Sequence, residues 1–326
     1  VSSATPEAGD QTVPAAAKPR SETVSPLGPS LFGSGRPRWK ERLVEWLLFL
    51  AAFISVVVTI GIVAILLWES STFFRSVPTL EFLTGRVWAP TFEPPHFGIL
   101  PLLCGTMVTT GVALLVALPI GSIVAVYMSE YAPFAVREFL KPTLELLSAI
   151  PTVVYGYFAL VYVGPALQKL FSDMPGANML SAGVVMGLMI IPYVSSLSED
   201  AMRSVPMLLR EGAYALGANR MITAFKVVYP AALSGIGSAY ILGISRAIGE
   251  TMIVAIAAGG QPNFTLDPRQ PGLTITAYIV QVSMGDLPRG SVGYQSIFAA
   301  GLLLFVFTLG FNILGYLLRK RFRESY

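Results

Sequence analysis

WLLFLAAFISVVVTIGIVAILLW, residues 46–68, is a run of 23 residues without a charged side chain. As a helix rising 1.5 Å per residue it measures about 34 Å, enough to cross a hydrocarbon layer roughly 30 Å thick. A short basic cluster, Arg36, Arg38, Lys40 and Arg42, stands immediately before it. Residues 1–35 are rich in Pro, Ala and Ser and hold nothing apolar enough to offset the entropy of ordering. A disordered tail is expected there. The same stretch lacks the apolar centre of a secretory leader, so no signal peptide is expected.

The pattern returns five times. Residues 94–129 carry no formal charge with His96 neutral, and further uncharged runs cover 146–168, 174–198 and 290–318. Another, 227–266, is interrupted only by Arg246 and Glu250. The expected spans are about 46–68, 100–127, 146–168, 176–197, 233–257 and 294–318, in one membrane domain over 36–326. The predicted class is an all-α integral membrane protein with six spans.

Composition agrees with that class. Charged residues make up 13% of the chain and apolar residues 54%, with mean hydropathy +0.65. A soluble domain carries roughly 25% charged residues, so six buried helices of a soluble protein would lack a polar shell. Cys104 is the only cysteine and His96 the only histidine. An intramolecular disulfide and a structural zinc site are therefore both excluded.

The basic residues report topology. An even number of spans puts both termini on one side. With that side as the cytoplasm, fourteen Lys and Arg residues near spans fall inside and five outside (Arg75, Arg86, Lys169, Arg269 and Arg289). Both termini are expected in the cytoplasm. The net charge of +3 is then a topology signal and needs no nucleic-acid partner. Pro and Gly recur within spans, as in Leu118-Pro119-Ile120-Gly121, Ala149-Ile150-Pro151 and Ile191-Pro192-Tyr193. The carbonyls that such kinks free must be satisfied by neighbouring helices or a cavity.

Between the fourth and fifth spans, the segment 204–230 is amphipathic. Ser204-Val205-Pro206 offers a helix start. Leu208, Leu209, Ala213, Ala215 and Leu216 form an apolar stripe, with Arg210 and Glu211 off it. Gly217 stops that helix, and a second is expected from Arg220 to Val228 before Pro230 ends it. A helix–turn–helix with an apolar knob, or a helix lying flat on lipid, both fit. The segment resembles the cytoplasmic loop of permeases from ATP-binding-cassette importers. Their pattern is Glu-Ala-Ala, three residues, Gly, nine residues, Ile, one residue, Leu-Pro. Here Glu211, Gly212, Ala213, Gly217, Val227, Tyr229 and Pro230 hold that spacing, departing at Gly212, Val227 and Tyr229. The resemblance implies a type I importer transmembrane domain whose loop docks on an ATP-hydrolysing subunit.

The fifth span contains Ser245-Arg246-Ala247-Ile248-Gly249-Glu250-Thr251-Met252. Arg in hydrocarbon costs at least about 2.5 kcal/mol, so Arg246 should face protein or water. On a continuous helix Glu250 would lie one turn on, placed to pair with it; a purely structural pair remains open. The string resembles the Gly-Arg-Ala-Leu-Gly-Glu-Thr signature of phosphate importer permeases. The likeness extends to Ala149–Gly156, Ala257–Gly260 and Ser296–Gly301, and the length of the first outer loop favours the C-type subunit. It implies that Arg246 and Glu250 act in phosphate translocation. It further implies a second homologous permease subunit, two ATP-binding-cassette subunits and an external phosphate-binding protein, in a bacterial inner membrane. ATP and Mg would sit on the partner subunits, since the chain has no Gly-x-x-x-x-Gly-Lys-Ser/Thr sequence and implies no cofactor of its own. A permease for another oxyanion or polar solute and a self-contained secondary transporter are the alternatives. The spans lack the clustered His, Asp or Cys of a membrane enzyme.

Overall fold

The structure, a computed structural model, describes residues 38–321. The tail expected at 1–35 lies outside the described residues. The chain divides at Val58–Thr59. The first unit contains the opening half of α1 (Arg38–Ser76), whose side chains are exposed from Glu41 to Ile60. That is where the uncharged run 46–68 begins.

In the second unit α1 is followed by α2 (Thr79–Thr84) and a two-residue antiparallel pair, β1 (Trp88–Ala89) with β2 (His96–Phe97). α3 (Leu100–Val126) runs on through a π turn, Tyr127–Tyr131. α4 (Phe134–Ala149) precedes α5 (Thr152–Phe158), which continues through a π turn, Ala159–Val163, into α6 (Gly164–Leu170). Then come α7 (Met179–Arg203), α8 (Met207–Ala215), and α9 (Arg220–Thr223), leading through the π turn Ala224–Val228 into α10 (Tyr229–Ala231). The chain finishes with α11 (Leu233–Ile248), α12 (Met252–Ala257), α13 (Ile275–Gln281) and α14 (Val292–Arg321).

Among the described residues, four stretches are long and apolar enough to cross a membrane unaided: Glu41–Ser76, Leu100–Tyr131, Met179–Arg203 and Val292–Leu317. Two bent pairs bring the number to six if each is one span: Phe134–Ala149 with Thr152–Leu170, turned by 86°, and Arg220–Ala231 with Leu233–Ile248, turned by 71°. The third expected span, 146–168, is therefore not one straight helix. Ile150, preceding Pro151, is extended at φ −64°, ψ 130°, as the proline ring demands of its predecessor. The fifth, 233–257, is also broken: α11 stops at Ile248 and α12 starts at Met252. Residues 199–203, expected in the loop, extend α7 instead. Pro230, expected to end the second loop helix, sits in the first turn of α10, where its missing N–H matters little.

The core forms where α3 and α7 cross. A Cβ on Gly187 would stand 2.8 Å from both the Ala113 carbonyl oxygen and Val116 Cβ, so only glycine allows this backbone approach. Ala113, Ala117, Met186, Ile190 and Val194 fill the seam and are buried. At one end of these helices, aromatic rings lock β1, β2, α2 and the end of α1 together edge to face. Phe73 meets Phe82 and Phe97 at 5.6 and 5.4 Å, and Trp88 meets Tyr278 of α13 at 4.9 Å. The loop after α12 closes the same end: Met179 N donates to Gln270 O at 3.2 Å, and Cys104 Sγ to Thr265 O at 3.0 Å. In that loop the Arg269 guanidinium, hydrogen-bonded to Asp267, holds its carboxyl below the usual carboxylate range.

Candidate functional site: a broken span and an amphipathic loop

Arg246 occupies the last turn of α11 and is partly buried. Its guanidinium carbon lies 4.2 Å from the centroid of the Tyr193 ring on α7, a cation–π contact. Its Nε is buried with no hydrogen-bond partner among the described residues. Glu250 is brought close in sequence but not into a pair: no ion pair joins it to Arg246 among the described residues, contrary to the geometry expected of a continuous helix. The helix has ended at Gly249, so the four-residue spacing no longer places both side chains on one face. Glu250 instead turns forward. Its Oε1 accepts from Met252 N at 3.1 Å and Ile253 N at 3.5 Å, satisfying the first donors of α12. Its backbone oxygen accepts from Thr276 Oγ1 at 2.7 Å. Glu250 thus fixes the break that follows Arg246. The result is a guanidinium held over an aromatic ring with free donor capacity, an arrangement that an oxyanion can complete.

The loop residues fall on two helices. Pro206 precedes α8, and Glu211 and Gly212 are exposed with Ala213 half-buried beside them. Gly217 has φ +82°. Gly217 N donates to Tyr214 O at 2.9 Å and Ala218 N to Ala213 O at 3.0 Å, a Schellman closure of α8. Asn219 Oδ1 then accepts from Ile222 N at 2.8 Å and starts α9. Val227 lies half-buried in the following π turn and Pro230 is exposed. The apolar stripe divides in two. Leu209 packs inward on a cluster of Val126, Met202, Val205, Ala224 and Val228. Leu208 and Leu216 point outward, 78% and 90% exposed, and form an apolar knob.

The sequence reading missed the acidic partners of this region. Glu130, in the π turn after α3, pairs with Arg210 Nη2 at 3.0 Å. Glu199, almost fully buried on α7, is reached by Lys141 at 2.9 Å, Arg203 at 3.5 Å and Arg137 at 3.9 Å. It also missed Tyr193, noted only as the neighbour of a kink at Pro192. Among the described residues no group of three His, Cys, Asp or Glu side chains converges as a metal site would require.

Residues 117–324 match the family model described as binding-protein-dependent transport system inner membrane component. The chain belongs to that family. It is a multi-pass membrane permease component of an ABC-type importer and is not an enzyme. The permease is 35% identical to a Bacillus subtilis protein described as a probable ABC transporter permease, over 82% of this chain and 85% of that one. It is 33% identical to the phosphate transport system permease protein PstC of Mesorhizobium japonicum, over 79% and 84% of the two chains. It is 31% identical to a probable PstC of Methanocaldococcus jannaschii, over 77% and 87%. Among solved structures, a bacterial alginate ABC transporter in complex with its alginate-bound periplasmic protein superposes with TM-score 0.60 at 16% identity. That match covers 89% of this permease and all of that chain. A MetNI methionine transporter chain superposes with TM-score 0.52 at 17% identity, covering 70% and 95%. At such identities these likenesses speak to the fold, which is that of the type I importer transmembrane domain.

Proposed function

We propose that this permease forms one half of the membrane channel of an inorganic phosphate importer, with Arg246 as the residue that meets the passing anion. The observation that carries this reading is the partly buried Arg246 guanidinium, which stacks on an aromatic ring and, among the described residues, has no ion pair and a buried Nε without a hydrogen-bond partner. The naming of several relatives as phosphate permeases supports the same substrate.

In this reading an external phosphate-binding protein delivers the anion to the end closed by the aromatic cluster. A second homologous permease subunit supplies the other wall of the path. Phosphate oxygens accept hydrogen bonds from Arg246, while Tyr193 keeps the guanidinium from swinging away. The cation–π contact is weaker than a carboxylate pair, so the anion need not displace a counter-ion to enter. One cationic residue holds phosphate loosely enough to release it. Glu250 acts through position: by capping α12 it keeps the chain turned after Ile248, which leaves Arg246 at a helix end. The segment 204–230, with Glu211, Gly212, Ala213, Gly217, Val227 and Pro230, docks on cytoplasmic ATP-hydrolysing subunits through the exposed Leu208–Leu216 knob. ATP and Mg belong to those subunits. Both termini lie in the cytoplasm, and residues 36–326 form the membrane domain.

The test is uptake of radiolabelled phosphate into cells whose only importer of this type contains this chain. Arg246→Ala is expected to abolish uptake while the complex still assembles. Normal uptake by that variant would remove Arg246 from the path. Competition by sulfate as strong as by unlabelled phosphate would replace phosphate with oxyanions generally.

A further inference from the structure

The π turn Tyr127–Tyr131 at the end of α3 is gripped from two directions by the amphipathic loop. From α8, Arg210 Nη2 reaches Glu130 Oε1 at 3.0 Å, with the two side chains only 11% and 5% exposed. The same guanidinium donates to Val205 O at 2.7 Å and Met202 O at 2.9 Å. It therefore binds the end of α7 and the α7–α8 turn to the end of α3 in one fork. From the start of α9, the Arg220 guanidinium lies 5.4 Å from the centroid of the Tyr131 ring. Both loop helices thus hold adjacent residues of one π turn, through different chemistry. Around the grip, Val126, Met202, Val205, Ala224, Val228, Ala232 and Ile236 are buried in a cluster separate from the main core.

We infer that this π turn is the joint through which loop movement reaches the membrane, and that Glu130, Tyr131, Arg210 and Arg220 are positioning residues for transport. The inference rests on the reading of 204–230 as the segment that docks on ATP-hydrolysing subunits. A block tied at two points moves with the helix that it grips, so displacement of α8 and α9 carries α3 with it. The interruption between Ile248 and Met252 lies outside that block, whereas the 71° bend at Ala232 belongs to it, since Ala232 and Ile236 are buried in the same cluster. The interruption after Ile248 is the place where the rest of the path can change while the joint stays rigid. The buried pair would then serve to fix a geometry, a role in which apolar replacement preserves folding but not direction.

The experiment uses the complex purified with its own partner subunits and reconstituted in proteoliposomes. It measures radiolabelled phosphate transported per ATP hydrolysed. The double variant Glu130→Met with Arg210→Met, and separately Tyr131→Leu, are expected to retain the ATP-hydrolysing subunits at unchanged stoichiometry. The transport ratio is expected to fall about tenfold or more. Tyr131→Phe keeps the ring and is expected to retain the unaltered protein's ratio. A ratio unchanged in both disruptive variants would overturn the inference. So would loss of the ATP-hydrolysing subunits from both, because the grip would then build the docking surface and not transmit through it. If the double variant is not recovered folded, the Tyr131 pair decides alone. Failure of the underlying reading is visible separately: Leu216→Cys, in the otherwise unaltered complex, would give no crosslink to an ATP-hydrolysing subunit.

Discussion

Replacing Glu250 distinguishes a helix-capping carboxylate from a counter-ion. Glu250→Ala removes an acceptor that Met252 N reaches at 3.1 Å and Ile253 N at 3.5 Å. Only the shorter bond is well placed, and a hydrogen bond to a charged group contributes about 1.5–3 kcal/mol. Loss of a cap costs about 0.5–2 kcal/mol, so the alanine variant should lose about 2 kcal/mol. Glu250→Gln retains an oxygen for the same donor and should lose about 1 kcal/mol or less. A counter-ion would behave differently. Removing its charge would strand a partly buried guanidinium at a cost of up to about 3–5 kcal/mol, and glutamine would do as much damage as alanine. The lone buried thiol of Cys104 supplies the assay: its modification, followed by mass spectrometry as the purified complex is warmed, reports opening of this chain alone. The expected order of protection is the unaltered protein, then Glu250→Gln, then Glu250→Ala. Equal loss in both variants would refute the capping assignment and restore a pair with Arg246.

Gly217→Ala forces an L-residue into φ +82°, although its Cβ would meet open space. The expected cost is about 1–2 kcal/mol, read as weaker retention of ATP-hydrolysing subunits on purification, with Gly217→Asn milder. Gly187→Val places atoms against the Ala113 carbonyl at the α3–α7 crossing. It should cost about 1–3 kcal/mol and lower the yield of monodisperse complex. Glu199→Ala leaves Lys141 and Arg203 without their buried acceptor. Those cations are partly exposed and can rehydrate, so the expected effect is faster proteolysis near α4 with transport retained.

The uncharged runs made the membrane class legible because hydropathy depends on composition alone. Helix direction does not. Residues 146–168 are as apolar as a straight span, and only the backbone shows Ile150 turning before Pro151. The Arg246–Glu250 pair failed for a related reason: the four-residue rule presumes a helix that Gly249 does not continue. The flanking glycine was present in the sequence, but a glycine alone does not distinguish close packing from a helix end. The loop was read well where the signal was local, as at the helix stop at Gly217 and the helix start at Arg220. It was read poorly where the partner is distant. Glu130 and Arg210 are separated by 80 positions, and no periodicity links two single charges across such an interval. The division of Leu209 from Leu208 and Leu216 likewise depends on which surface the ends of α3 and α7 present.

The π turns at Tyr127–Tyr131, Ala159–Val163 and Ala224–Val228 bear on how such a chain can change length. A π turn accommodates one residue more than the α turn that it replaces. Deleting a single residue there restores an ordinary turn and leaves the helical faces on either side nearly in phase. The same deletion in a regular stretch of α7 would rotate everything beyond it by about 100° and carry Gly187 or Tyr193 off its surface. Single-residue deletions should therefore be absorbed at these three places and rejected in the regular stretches of the spans. At Tyr127–Tyr131 that freedom is limited by the two side chains which the loop holds, so length there can vary only if Glu130 and Tyr131 keep their places.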